Sequence, residues 1–306
     1  MSATYETALR ELAVGDPRLL VLTAENRAAI RGLPGVLGPR FLDTGITEQT
    51  MIGMSAGLAL RGRLPVAHAL AAFLTMRPFE FIRTDIGIPG LPVKLVGGVP
   101  GILSEANGPT HQALEDVALM RGIPNMRVFC PADLEDLLLG LPHVLRSPGP
   151  WYIRYTDRPA VIRHDLDFAV GQAEIVSEGR DVGLLVYGPL FREAFAATRQ
   201  LEAAGLSVRL VNLRTLKPLD EAVVLETVLR SRLVVTLEDH FQTGGLYSIV
   251  AELLLRHETT AHVLPIAFPD RWFTPALLAD VLQVERLTGP QLAGRILAAC
   301  PAVPAN

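Results

Sequence analysis

Short apolar runs alternate along this chain with segments of helical periodicity, and that alternation constrains the fold more than any other feature. The runs at 19–23, 65–70, 93–97, 126–130 and 151–155 have the length and apolar continuity of buried parallel strands. Between them, 48–60, 73–85, 114–120 and 133–141 read as helices. A second set follows, with strands at 182–187, 207–211 and 232–237 and helices at 191–204, 221–230, 247–256 and 291–299. Strands alternating with helices build parallel sheets covered on both faces. The expected fold class is therefore α/β in two domains, each a doubly wound, mostly parallel sheet flanked by helices. From Thr156 to Gly179 helical periodicity is weak, which sets the expected division: a first domain at 1–165, a connector at 166–180 and a second domain at 181–306.

Composition excludes several classes. A chain of 306 residues, 49% hydrophobic and 20% charged, buries real cores and is not a disordered polypeptide. A net charge of −4 without a basic stripe argues against nucleic acid as a partner. Two cysteines, Cys130 and Cys300, are too few for a disulfide framework and fit a reducing compartment; both read as buried fillers. The first 13 residues read as an amphipathic helix rather than a signal peptide, and no apolar run approaches the ~20 residues of a membrane span. A soluble, cytoplasmic protein is expected.

In open parallel sheets ligands bind beyond the carboxyl ends of the strands. Glu48, His68, the loop 97–112 and Arg154 all fall at such ends. The sequence Phe41-Leu42-Asp43-Thr44-Gly45-Ile46-Thr47-Glu48 reads as a strand end, a polar loop and a helix start that Thr44 or Thr47 can cap. From Met51 to Leu60 that helix has almost no polar surface, the pattern of a helix buried all round, and Gly53 and Gly57 point to close approach of another backbone. Glu48 at its mouth is either a carboxylate favoured by the helix dipole, or a dry group that shares a proton with a ligand. The local pattern does not choose between them. The glycine- and proline-rich loop carries Asn107-Gly108-Pro109, a turn signal, and then His111. No nucleophile elbow, metal-ligand histidine spacing or dinucleotide phosphate fingerprint is present.

Several motifs together resemble the C-terminal half of transketolase. They are Thr44-Gly45-Ile46-Thr47-Glu48-Gln49, the segment 73–77, Gly108-Pro109-Thr110-His111-Gln112 with Ala113-Leu114-Glu115-Asp116, and Ile123-Pro124-Asn125-Met126 with Pro131-Ala132-Asp133. In the second half, Leu213-Arg214-Thr215-Leu216-Lys217-Pro218-Leu219-Asp220 and Leu237-Glu238-Asp239-His240 with Gly244-Gly245 resemble that family's C-terminal domain. The resemblance implies thiamine diphosphate chemistry across a subunit interface. Glu48 matches the glutamate that hydrogen-bonds N1′ of the aminopyrimidine and favours its imino tautomer. Phe73 matches the aromatic that stacks on that ring, with Leu70 and Ile46 completing the cofactor contacts. Glu48 and His111 are the implied catalytic residues, and His111 and Arg154 the implied substrate contacts; Asn107 and His68, where the sequence departs from the family, are the further expected substrate contacts. Arg154 would suit a phosphate or carboxylate by bidentate bonding, with an ion pair between strands as the alternative.

Departures from the family pattern bear on the substrate. Asn107 stands where transketolases usually carry an aspartate that reads a hydroxyl, Val99 where several have histidine, and His68-Ala69 where a Ser-Thr pair is usual. An amide in place of a carboxylate changes which donors are satisfied, so a non-standard substrate is plausible. The family's diphosphate-binding sequence, Gly-Asp-Gly followed by an asparagine-containing metal loop, is absent from these residues. The implied arrangement is a split enzyme. A separate subunit would hold the diphosphate and Mg²⁺, in an α2β2 assembly acting on a sugar or sugar phosphate. Other enzymes on this scaffold are the nearest rivals: a 2-oxo acid dehydrogenase E1 β subunit, or an enzyme like deoxyxylulose phosphate synthase. A catalytically silent binding partner is the rival from another class.

Overall fold

The structure, a computed structural model, describes residues 4–300, so the outermost ends of the expected domains lie outside the described residues. Among the described residues, twelve strands form two sheets. In the first half they are β1 (Leu19–Thr23), β2 (Phe41–Asp43), β3 (Leu64–Leu70), β4 (Lys94–Gly98), β5 (Arg127–Phe129) and β6 (Trp151–Arg154). In the second they are β7 (Glu174–Ile175), β8 (Val182–Val186), β9 (Val208–Asn212), β10 (Thr215–Lys217), β11 (Leu233–Phe241) and β12 (Val263–Phe268). The seven-stranded sheet has the order β10-β5-β6-β4-β3-β1-β2 and the five-stranded sheet β12-β11-β8-β9-β7. All pairings are parallel except β10 with β5 and β7 with β9. The fully buried strands Leu19–Thr23 and Val182–Val186 show why: with helices on both faces, no position faces water.

Two parts of the expected domain division change. Thr215–Lys217, assigned by position to the second domain, crosses back to form the antiparallel edge of the first sheet. Leu216 is buried in an apolar core to which both halves contribute, and Lys217 Nζ donates to the carbonyls of Arg121 and Ile123 at 2.8 and 2.7 Å. The connector also supplies a strand, since β7 pairs with β9.

A buried polar seam ties these crossings together. His164 lies between Asp133 and Glu174, with ring nitrogens 2.8 and 2.7 Å from their carboxylates. Arg214 pairs with Asp136 at 2.8 Å and Glu174 at 3.2 Å, and Asn212 donates to both carboxylates at 3.1 Å.

The Glu48–Leu60 helix is not buried all round within this chain. Met51, Ile52, Ser55, Ala56 and Ala59 face the core, whereas Met54 and Leu60 are 38% and 71% exposed. A Cβ added at Gly53 or Gly57 would meet nothing within 4 Å. The expected helix 73–85 is broken: Ala71–Met76 and Phe79–Phe81 flank Pro78, and Ile82–Gly87 continues with wider turns. Cys130 is buried and Cys300 half-buried, both as free thiols. Among the described residues no helix is long and apolar enough to cross a membrane.

Candidate active site

Three chain segments leaving the carboxyl ends of β2, β3 and β4, strands of one sheet, build the site. After β2, Asp43 accepts from the N–H of Gly45 at 2.9 Å, and Gly45 takes a φ of 69° to turn the chain into the helix that begins at Glu48. Thr47 is the residue before the helix, but its hydroxyl donates to the Thr44 carbonyl at 2.8 Å; no side chain caps the helix. The expected threonine cap is thus replaced by a local turn. Glu48 is only 2% exposed, and a buried carboxylate needs a partner.

Its partner is Arg77, whose Nη1 donates to Glu48 Oε1 at 2.7 Å. Arg77 lies one turn beyond Phe73, and its guanidinium carbon sits over the Phe73 ring, 3.7 Å from the centroid. On the other side of the row, the His111 ring meets Phe73 edge-on, with centroids 5.0 Å apart and planes at 64°. His111 Nδ1 is 2.9 Å from the Thr110 hydroxyl. Glu48, Phe73 and His111, taken from three separate segments of sequence, therefore form one continuous row with Arg77 at its centre. Leu70 ends β3, half-buried, one residue before the Phe73 helix; Ile46 is 67% exposed in the turn before Glu48.

The loop carrying His111 is fixed from below. Gly101 and Ala113 exchange both backbone hydrogen bonds, at 3.1 and 3.2 Å, closing the loop at its base. Gly101 has a φ of 58°, and a Cβ there would stand 1.8 Å from Asp239 Oδ2. Asn107 lies exposed on a 3₁₀ turn over Glu105–Thr110, its amide 3.4 Å from Ser104 Oγ.

Two implied substrate residues are enclosed by other side chains of this chain. Arg154 is 1% exposed and belongs to a buried ion-pair network: Nε donates to Asp116 Oδ2 at 2.9 Å and Nη1 to Asp239 Oδ1 at 2.6 Å. The Tyr152 hydroxyl adds a 2.6 Å bond to the same Asp116 oxygen. This ion pair, with Asp116 at a helix start and Asp239 on β11, joins the two domains. His68 is likewise structural. It is 4% exposed, with Nε2 2.8 Å from the Tyr5 hydroxyl and Nδ1 3.2 Å from the Leu22 carbonyl, and burial lowers its pKa to about 4.

The Glu238-Asp239-His240 motif also has a structural account. Burial pushes Glu238 up to about 8, although the N–H groups of Leu246 and Tyr247 at a helix start donate to it at 2.6 and 3.0 Å. His240 Nε2 accepts from Ala118 N–H at 3.3 Å, again across the two domains. The site residue that sequence reasoning left without a role is Arg77. The signal was available: in a helix, Phe73 and Arg77 at i and i+4 share a face.

The sequence matches the transketolase pyrimidine-binding domain over residues 1–160 and the transketolase C-terminal domain over 171–293. The chain belongs to the transketolase family. Among its relatives, the 6-deoxy-6-sulfo-D-fructose transketolase subunit SqwH of Clostridium sp. (strain MSTE9) is 39% identical over 255 residues, covering 82% of this chain and 79% of that one. A 1-deoxy-D-xylulose-5-phosphate synthase of Dictyoglomus turgidum is 34% identical over 84% of this chain, which spans only 42% of that enzyme. A solved structure described as a split gene transketolase, inactive beta4 tetramer, superposes with a TM-score of 0.86 at 34% identity over 96% of both chains. Transketolase membership implies thiamine diphosphate as the cofactor.

Proposed function

We propose that this chain is the pyrimidine-binding subunit of a two-component, thiamine diphosphate-dependent transketolase-like enzyme. It would transfer a two-carbon ketol unit from a ketose to an aldehyde acceptor. The observation that carries the reading is the row of Glu48, Phe73 and His111 beyond the carboxyl ends of β2, β3 and β4. The residues fit an aminopyrimidine, because a planar hydrogen-bonding group, the Arg77 guanidinium, already lies on the Phe73 ring and against the Glu48 carboxylate.

Bound there, thiamine diphosphate would supply the nucleophilic carbon and the electron sink that ketol transfer needs. Glu48 would hold a hydrogen bond to the pyrimidine ring nitrogen in a site its own burial keeps dry. Phe73 would stack on the ring, flanked by Leu70 and Ile46. With Thr110 engaging Nδ1 of His111, Nε2 is the atom that would meet the substrate. Asn107, on the same turn, would contact a substrate hydroxyl.

A separate subunit would hold the diphosphate and most of the Mg²⁺ coordination, in an α2β2 assembly in the cytoplasm. Exposed apolar side chains on the segments that carry Glu48 and Phe73 support a protein partner there: Ile46 at 67%, Met54 at 38% and Met76 at 38%. The SqwH relative, itself described as a subunit, supports the split arrangement.

The test is ketol transfer by this chain mixed with a diphosphate-binding transketolase subunit, with thiamine diphosphate and Mg²⁺. The donor panel would include simple ketose phosphates, 6-deoxy-6-sulfo-D-fructose and 2-oxo acids. Turnover of a ketose by the mixture, lowered about 100-fold or more by Glu48→Gln, is the expected result. The synthase relative favours a second reading, deoxyxylulose phosphate synthase-like chemistry, in which only a 2-oxo acid donor would turn over. Turnover unaffected by Glu48→Gln would rule out both.

A further inference from the structure

Arg77 makes with this chain the same two contacts that the proposed function gives to the cofactor's aminopyrimidine. Its guanidinium is planar, lies 3.7 Å from the Phe73 centroid, and donates to Glu48 Oε1 at 2.7 Å. We propose that Arg77 is a placeholder for the pyrimidine: it covers Phe73 and Glu48 in the free subunit and swings out when the cofactor enters. This inference rests on the functional reading above.

The covered state has a physical reason. Glu48 is 2% exposed, and an ionised carboxylate removed from water without a partner is strongly disfavoured. In the free subunit Arg77 supplies the opposite charge, and the Phe73 ring supports that cation face-on. The same carboxylate cannot both hold this ion pair and share a proton with a ring nitrogen along the same direction. The two uses compete.

The geometry also lets the arm leave without disturbing the fold. The Arg77 backbone is held at both groups, its N–H donating to the Phe73 carbonyl at 3.2 Å and its carbonyl accepting from Gln49 Nε2 at 3.3 Å. Its side chain, by contrast, is 39% exposed, so rotation about its own bonds carries the guanidinium into water. Glu48, at 3% side-chain exposure, has no such freedom. The mobile partner is the arginine. A site that is competent only when the arm is out binds more weakly by the fraction of time it is out; a ten-to-one preference for the covered state weakens the apparent affinity roughly tenfold.

The experiment is calorimetric titration of thiamine diphosphate with Mg²⁺ into this chain assembled with its diphosphate-binding subunit. Wild type, Arg77→Ala and Arg77→Gln would be compared, alongside melting of the free chain. The placeholder account expects Arg77→Ala to bind the cofactor several-fold to tenfold more tightly while the free chain melts at a lower temperature. Adding Glu48→Gln should restore that melting temperature, because no charge is then left buried. Arg77→Gln keeps a donor toward Glu48 without the cation, and its affinity should fall between the other two. Cofactor binding that is unchanged or weaker in Arg77→Ala would overturn the placeholder and leave the functional reading standing, with Arg77 a fixed part of the site. A wild-type assembly that binds no thiamine diphosphate would overturn the functional reading and the placeholder with it.

Discussion

At the scale of single residues, the site depends on side chains whose surroundings leave them one arrangement. Gly101 is the clearest. Its positive φ and the 1.8 Å separation from Asp239 of any added Cβ mean that Gly101→Ala cannot be accommodated without moving either the loop or the buried network. We expect a loss of more than about 2 kcal/mol in urea denaturation, together with a raised KM for substrate because the loop carrying His111 shifts. A variant with wild-type stability and KM would show that the loop is not seated on Asp239. Arg154 supplies the contrasting case. Its position on β6 matched a substrate arginine, but two carboxylates from distant segments, Asp116 and Asp239, close on it inside the molecule. Those partners lie 38 and 85 residues away, so no local pattern could announce them. Arg154→Met would strand both carboxylates and cost about 3–5 kcal/mol, measured by denaturation, whichever substrate is offered. The convergence of Glu48 and His111 on the candidate row, by contrast, was legible. Each sits in a short motif at a strand end, where the parallel-sheet rule alone places a ligand.

At the scale of elements, strand and helix order was readable from apolar runs because parallel strands buried on both faces keep that signal strong. Short edge strands have too little of it. Glu174–Ile175 and Thr215–Lys217 are two and three residues long, and each takes its place from the partner it pairs with. The Glu48–Leu60 helix exposes a different limit. Its all-apolar sequence reads as complete burial, yet one face is open, with Met54, Gly57 and Leu60 exposed. An apolar helix signals that both faces are covered in the working molecule, and the second cover need not come from the same chain. On that account Met54→Asp should leave the melting temperature of the isolated chain within a few degrees while weakening assembly with the diphosphate-binding subunit by at least tenfold. Sedimentation of the mixture would measure it; unchanged assembly would place the partner elsewhere.

At the scale of the whole molecule, the two domains are joined by buried charge as well as by a shared apolar core. Both ring nitrogens of His164 face carboxylate oxygens, which accept, so the ring donates from both and carries a positive charge. Burial opposes that charge, but the bonds to Asp133 and Glu174 outweigh it and raise the His164 pKa to about 10. The folded value lies above the ordinary 6.5, so the stabilisation is fully present below pH 6.5 and is lost as pH rises through about 10. His164→Asn should therefore cost about 3 kcal/mol at pH 6, and the difference from wild type in urea denaturation should shrink steadily toward pH 10. A difference independent of pH over that range would mean His164 is neutral in the folded chain. Nothing in the sequence around His164 distinguishes it from a solvated connector residue, because its partners come from segments that only the fold brings together.

The central claim is that the pyrimidine half of a thiamine diphosphate site lies on this chain and is completed by another. It is tested most directly by calorimetric titration of the cofactor, with Mg²⁺, into three samples: this chain alone, its mixture with a diphosphate-binding transketolase subunit, and the same mixture carrying Glu48→Gln. The account predicts saturable binding in the wild-type mixture, at least tenfold weaker binding with Glu48→Gln, and none to the chain alone. Equal binding by the chain alone, or by the Glu48→Gln mixture, would contradict it.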